Sequence, residues 1–486
     1  MEMLARKTAG AFYTPQDTVA SLVRWAVRKP TDRMLDPACG DGRFLALHPQ
    51  SVGVERDTAS AALARQRAPS AVVHESDFFR WAAETSERFD CAAGNPPFIR
   101  YQRFVGEVRQ AALRLCQKLE APFTSLTSSW APFLVATASL LKPGGRLAFV
   151  VPAEIGHAPY ATPLLAYLAD HFDLVQIVAV RSKIFADLSE DCWLLYAEGY
   201  GGRTSGFRFT GLHELQFTSR PPTRGTIISR AEWTAWNKRL RPFLLPPRIR
   251  ALYRRFADAP DSWTMGNVAT VGIGYVTGAN DFFHLRPSVM NSYGIPSRLL
   301  KPAVRNGRML NGAAVTQLTV EEWLMRDEPM LLLRLKRGQE LPNSVLRYLN
   351  TSTARAARET YKCRNRDPWY VVPDVRVPHA FLSYMTGGGP SLVANPAGCV
   401  CTNSLHAVTL RRNTSIATLQ ARWSHPLVAL SCEIEGHPLG GGMLKLEPGE
   451  ANRVILPARK LRKREAALAL DGLMTMRRWR HCGEET

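Results

Sequence analysis

The residues best suited to chemistry are Asn95-Pro96-Pro97-Phe98. Two successive prolines fix the backbone and remove two N–H donors. The Pro96 carbonyl and the Asn95 side-chain oxygen are then expected to point outward as acceptors, beside the flat face of Phe98. Two acceptors and an aromatic face suit a planar ring carrying an NH2 group. The plain alternative is a rigid turn that packs Phe98 into a core.

A second constellation lies upstream. Asp36-Pro37-Ala38-Cys39-Gly40-Asp41-Gly42 follows a short apolar run. In an open α/β sheet a nucleotide-like ligand binds at such a strand end, where Gly40 and Gly42 let backbone approach it closely. No Gly-Lys-Ser/Thr follows, so this is not a P-loop, and the dinucleotide fingerprint G-x-G-x-x-G is absent. Two carboxylates in the loop argue against a pyrophosphate and suit an ammonium or sulfonium group. Glu55 ends the next apolar run, and a carboxylate there can accept both ribose hydroxyls. Asp77 and Phe78 end a third, where they could accept from an adenine amino group and cover its ring. Each acid alone reads as a solvated loop residue. Three in register describe a ligand with an adenosine and a cationic amino-acid end, which S-adenosylmethionine fits.

These residues need a frame. Strand-like runs at 33–36, 51–55, 71–74, 89–93, 146–152 and 173–180 alternate with helical patterns at 43–47, 59–67, 105–119 and 128–141. Such alternation predicts right-handed crossovers and a mostly parallel sheet, an α/β fold. Glycines crowd residues 199–206, and Pro246-Pro247 marks the expected boundary between a domain at 1–245 and a second at 246–486. In the second, residues 321–336 and 345–359 read as helical, and 457–480 as a basic closing helix.

Charge divides the chain the same way. Of 486 residues, the first 200 hold 21 basic and 21 acidic side chains; the remainder hold 41 and 21, the whole net +20. A basic second half favours a polyanion, most simply nucleic acid. Arg305, Arg308, Arg364 and Arg366, with Lys362 and the aromatics Trp369 and Tyr370, are the candidate contacts. The basic run 459–464 reads as a solvated helix face or a nonspecific phosphate contact. A 45% hydrophobic content excludes general disorder. No apolar run approaches the ~20 residues of a membrane span, and residues 1–15 lack a signal-peptide core. The nine cysteines are scattered and suggest no metal site; reduced, buried thiols in a cytoplasmic protein are expected.

The order of these motifs resembles that of the gamma-class amino-methyltransferases that make N6-methyladenine in DNA, in particular the Eco57I-type restriction–modification methylases. Gly10-Ala11-Phe12-Tyr13-Thr14-Pro15 resembles that family's N-terminal motif, which implies that Tyr13 and Thr14 meet the methionine part of the cofactor. Residues 36–42 resemble its cofactor loop, which brings in Asp36, Ala38, Gly40 and Gly42. Glu55 resembles the ribose ligand, Asp77 with Phe78 the adenine contact, and residues 95–98 the catalytic motif, with Asn95, Pro96 and Phe98 in catalytic roles. Phe185 resembles a second aromatic contact on the target base. Residues 271–283, 301–305, 361–370 and 440–448 resemble segments of the family's recognition regions. Position 39 departs from the pattern, being Cys where many relatives carry another residue.

The resemblance implies a Rossmann-like class I S-adenosylmethionine-dependent methyltransferase domain followed by a mixed α+β target-recognition domain with a basic helical tail. It implies sequence-specific methylation of a flipped-out adenine in double-stranded DNA, no metal, no membrane, and a cytoplasmic, nucleoid-associated bacterial enzyme of a restriction–modification or phage-defence system. A separate restriction endonuclease is the implied partner, because residues before Thr8 and after 457 look too few for a fused nuclease. The alternatives are an amino-methyltransferase acting on RNA or on protein glutamine, and a non-catalytic recognition subunit that binds DNA without cofactor.

Overall fold

The computed structural model describes residues 14–185, 188, 190–411 and 414–483. The chain divides into two compact units, one ending at Leu244 and the other beginning at Leu245.

The first unit is built on nine strands: β1 (Met34–Asp36), β2 (Ser51–Glu55), β3 (Val72–Glu75), β4 (Phe89–Gly94), β5 (Leu141–Pro152), β6 (Phe172–Val180), β7 (Cys192–Tyr200), β8 (Gly206–Leu212) and β9 (Thr226–Ser229). They form one sheet in the order β3-β2-β1-β4-β5-β7-β6-β8-β9. The five strands from β3 to β5 are parallel, and β7 is inserted antiparallel between β5 and β6. The order reverses at β1, which has β2 on one side and β4 on the other. Ligands bind open α/β sheets at such a switch point, beyond the strands' carboxyl ends. This is the α/β fold expected from the alternating pattern.

Helices cover the sheet because their apolar positions fall on one face. Helix α1 (Gln16–Ala26) buries Val19, Leu22, Val23 and Ala26, the spacing of one helical stripe. Helix α2 (Thr58–Arg67) starts at Asp57, whose carboxylate accepts the Ser60 N–H at 2.8 Å. Helix α3 (Phe78–Glu84) starts at Asp77, which accepts from Arg80 N–H in the same way. Helices α4 (Gly106–Lys118), α5 (Trp130–Ala138) and α6 (Ala161–His171) follow. Every residue of α5 is buried. The helical pattern at 128–141 stops at Ala138, and the residues before the expected strand at 146 already belong to β5, whose register against β4 jumps from Leu141 to Arg146 and leaves Pro143-Gly144-Gly145 as a bulge.

The second unit is mixed α+β. One four-stranded antiparallel sheet joins Ala269–Ile273, His406–Leu410, Ala380–Leu382 and Leu392–Ala394; another joins His284–Leu285, Leu331–Leu333, Leu300–Val304 and Val400–Cys401. Each has its own hydrophobic core. The closing helix Lys463–Arg478 packs on Pro426–Glu435 and Pro247–Ala257. Just beyond it, the wholly buried Arg480 guanidinium pairs with Glu433 at 2.8 Å and donates to the Gly387 and Gly442 carbonyls, tying two glycine-rich loops together. Two helical expectations are corrected. Residues 321–336 form the end of a helix, Gln317–Met325, and then a strand, and 345–359 fall in two helices separated at Asn350 and Thr351. Among the described residues no helix is long and apolar enough to cross a membrane.

Candidate active site

Asp36 ends β1 and is almost fully buried. One of its oxygens accepts the Ala38 N–H at 3.2 Å, which bends the chain into the glycine loop. Burial pushes its carboxyl up from the usual 3.8 to about 8, and the charges of Glu55 and Asp41 push it in the same direction. The loop thus holds acids whose ionisation a cation would favour. Asp41 has its own cations: Arg67 of α2 and, at 3.2 Å, Arg43. Sequence reasoning passed over both arginines, which read as ordinary solvated residues.

The two loop glycines differ. Gly42, at φ +82°, sits so close to α2 that a Cβ would lie 2.8 Å from the Ala64 Cα. Gly40, at φ +51°, has open space where a side chain would be, so a ligand can approach its backbone. Its N–H donates to Glu55 Oε2 at 3.0 Å, while Glu55 Oε1 accepts from Asp57 N–H at 2.8 Å. Each carboxylate oxygen keeps acceptor capacity beyond one bond, so the end of β2 is a preset acceptor beside the loop. Cys39 is buried, and its thiol is pushed far up by burial and by Asp36 and Glu55, which makes it inert packing.

The corner at 95–98 follows β4, the neighbour of β1. Gly94 brings the two strand ends into contact: a Cβ there would meet Asp36 Oδ1 at 2.7 Å and Phe149 Cε1 at 3.0 Å. Asn95 Nδ2 donates to Thr14 Oγ1 at 3.3 Å, and the Thr14 carbonyl accepts from Arg43 Nη1 at 3.4 Å. Buried Thr14 therefore bridges the corner to the glycine loop. Tyr13 lies outside the described residues. Pro96 is buried; Asn95 and Phe98 are half-buried. Phe98 packs on the cluster that contains Phe185, Val180 and Leu194, so the two candidate aromatics share one cluster.

Asp77 is half-buried at the start of α3, but Phe78 is 3% exposed and stacks on Phe133 at 5.0 Å, with Phe79 and Trp81 around it. Its ring faces the core, because α3 buries that side against α5. Downstream of the corner, Ser129 accepts from the Ile99 N–H at 3.0 Å and donates to the Pro97 carbonyl.

In the second unit the candidate cations divide. Arg308 and Arg364 are exposed. Arg305 is mostly covered and pairs with the exposed Asp281 at 2.7 Å. The Arg366 guanidinium donates to the carbonyls of Val276 and Thr277, and Trp369 packs on Phe282 at 5.5 Å. Arg366 and Trp369 thus brace the fold around residues 276–283, where their spacing with other basic residues had suggested a surface role.

Residues 237–484 match the family model described as the type II methyltransferase M.Eco57I C-terminal domain, and residues 55–185 match that of the Eco57I restriction-modification methylase. Type II methyltransferase M.AccI of Acinetobacter calcoaceticus is 19% identical across 92% of this chain and 85% of that protein. M.CvrRI of Paramecium bursaria Chlorella virus XZ-6E is 28% identical over 191 residues, 37% of this chain and 46% of that protein. The cryo-EM structure of a DrdV–DNA complex shares the fold at a TM-score of 0.50 and 12% identity, over 97% of this chain and 58% of that one.

Proposed function

The chain belongs to the Eco57I-type restriction–modification methylase family, and from that premise we propose that it methylates the N6 amino group of a specific adenine in double-stranded DNA. The observation that carries this reading is the junction of β1 and β4. Gly94 seats the end of the 95–98 corner against Asp36, and Thr14 ties Asn95 to the glycine loop.

The cofactor is S-adenosylmethionine, and it supplies an electrophilic methyl group. The residues fit it. The open face of Gly40 admits a ligand to the backbone, Glu55 offers a carboxylate at the ribose position, and Asp77 stands one strand further along. The buried acid Asp36, with Asp41 and Glu55 near it, favours a cationic group. Tyr13, Thr14, Ala38 and Gly42 complete the proposed cofactor set.

At the corner, Asn95 and Pro96 accept the two hydrogens of the adenine amine. That amine is a poor nucleophile while its lone pair is delocalised into the ring. Two acceptors draw it toward a tetrahedral shape and orient the lone pair. Phe98 stacks on the base, with Phe185 in the aromatic cluster beneath. No strong general base is needed, since the proton leaves after transfer; orientation and charge placement supply the rate. A paired adenine must leave the duplex to reach the corner, at a few kcal/mol, and stacking returns about 1–3 kcal/mol of this. Phosphate contacts by the basic second half, with exposed Arg308 and Arg364 as first candidates and Arg305 a further one, would hold the duplex with a strong salt dependence, while Arg366 and Trp369 would support that surface from within by bracing residues 276–283. A separate endonuclease would do any cutting.

The test is Asn95→Ala. Cofactor binding by calorimetry should persist while methyl transfer to duplex DNA is nearly abolished. A fully active variant removes Asn95 from the mechanism.

A further inference from the structure

We propose that Ser129 is the positioning residue of the catalytic corner, fixing the Pro96-Pro97-Phe98 backbone through a hydroxyl that both donates and accepts. The inference rests on the reading of residues 95–98 as the methyl-transfer corner and adds to it a residue from a different element.

The corner has a mechanical problem built into its sequence. Two prolines leave it without N–H groups at positions 96 and 97. It must be held by its carbonyls and by the first N–H groups that follow. The group that serves both needs at one point is a hydroxyl, with one donor and two acceptor lone pairs.

Ser129 is that group. Its hydroxyl donates to the Pro97 carbonyl and accepts the Ile99 N–H at 3.0 Å, and its own N–H donates to the Ile99 carbonyl at 2.9 Å. These three bonds bracket Phe98 on both sides. The residue is wholly buried, so water does not substitute for them.

The position makes the assignment sharper. Ser129 precedes the first residue of α5 with an already helical backbone, φ −58° and ψ −37°, so it lacks the extended geometry in which a serine caps a helix. Here the side chain makes no capping bond. Pro132, third in the helix, has no N–H to offer. The hydroxyl is turned away from its own helix and onto the corner. Because α5 is buried along its whole length, it is a rigid support rather than a mobile loop.

Upstream, Gly94 and Thr14 hold the corner's entry; downstream, Ser129 holds its exit. With the exit released, the Pro96 carbonyl and the Phe98 ring lose their common register. A displacement of about 1 Å at such a point costs up to roughly 100-fold in rate without touching the cofactor.

The experiment compares wild type, Ser129→Ala, Ser129→Thr and Ser129→Val in the full chain. Readouts are kcat and KM on unmethylated duplex DNA, cofactor Kd by calorimetry, and melting temperature. The expected result for Ser129→Ala is a fall in kcat of about 30–100-fold, with the cofactor Kd within about twofold of wild type. Thr and Val have the same shape and differ in the hydroxyl, so Thr should recover most of the rate and Val should resemble Ala. That pair decides the matter even where Ser129→Ala folds poorly. Equal rates for Thr and Val, or a wild-type kcat in Ser129→Ala, overturn the assignment. A wild-type protein that transfers no methyl to any duplex removes the underlying reading and the inference with it. An active wild type indifferent to Ser129 removes the inference alone.

Discussion

Asp36 makes the pH dependence of this protein calculable. Its carboxyl is raised from the usual 3.8 to about 8, first by burial and then by the neighbouring Glu55 and Asp41. The folded value lies above the unfolded one. The stability this group contributes is therefore full below about pH 4 and is lost as pH rises to about 8. Between pH 5.5 and 7.5 the slope is about 1.4 kcal/mol per unit and eases as pH nears 8, a loss of about 2–3 kcal/mol. For a domain of this size that is about 5–11 °C in melting temperature. Asp36→Asn keeps the shape and an oxygen for Ala38 N–H but cannot ionise. Melting curves of cofactor-free wild type and variant across that range should therefore diverge, the wild type losing ground to Asp36→Asn as pH rises. A cationic ligand favours the ionised carboxylate, so S-adenosylmethionine should bind wild type more tightly as pH approaches 8, with proton release visible by calorimetry in buffers of different ionisation enthalpy. Parallel melting curves and a pH-independent affinity would refute the reasoning.

Three further outcomes follow from packing. Gly94→Ala places a methyl 2.7 Å from Asp36 Oδ1; steady-state kinetics should show kcat down by about tenfold or more, and an unchanged kcat would mean that the two strand ends are not coupled. Arg480→Ala removes the 2.8 Å partner of the buried Glu433 carboxylate and leaves it Arg477 at 3.5 Å, and denaturant unfolding of the full chain should show a loss of about 1.5–3 kcal/mol. Eight of the nine cysteines are buried and Cys482 is half-exposed, so a thiol reagent should titrate one cysteine rapidly in the native protein and the rest only on unfolding.

Much of the first unit was readable from residue order. Each parallel strand from β1 to β4 is a short apolar run that stops at a turn signal or an acid, and the helical pattern at 59–67 is helix α2. Strand β7 and helices α1, α3 and α6 were missed, and β7 shows why. Its sequence, Cys-Trp-Leu-Leu-Tyr-Ala-Glu-Gly-Tyr, is buried on both faces and shows no alternation to separate it from a buried helix. The second unit was harder for a related reason. Its strands are two to five residues long, and tertiary packing decides whether Leu331–Leu333 pairs as a strand or extends a helix. At the candidate site, residue types marked the positions, but side-chain orientation did not follow from them. Phe78 sits next to Asp77 in the chain, yet α3 turns its ring onto Phe133. Ser129 fell inside the helical pattern at 128–141 and carried no signal of its own. Its partners, Pro97 and Ile99, lie some thirty positions earlier, and only the fold brings them together.

The central claim is tested most directly by the identity of the methylated product. Purified protein is incubated with radiolabelled S-adenosylmethionine and unmethylated duplex DNA, and the DNA is then digested to nucleosides and separated. The label should run with N6-methyldeoxyadenosine, and Asn95→Ala should yield none. Label found in a methylated cytosine, or none in DNA while RNA or protein is labelled under the same conditions, would contradict it.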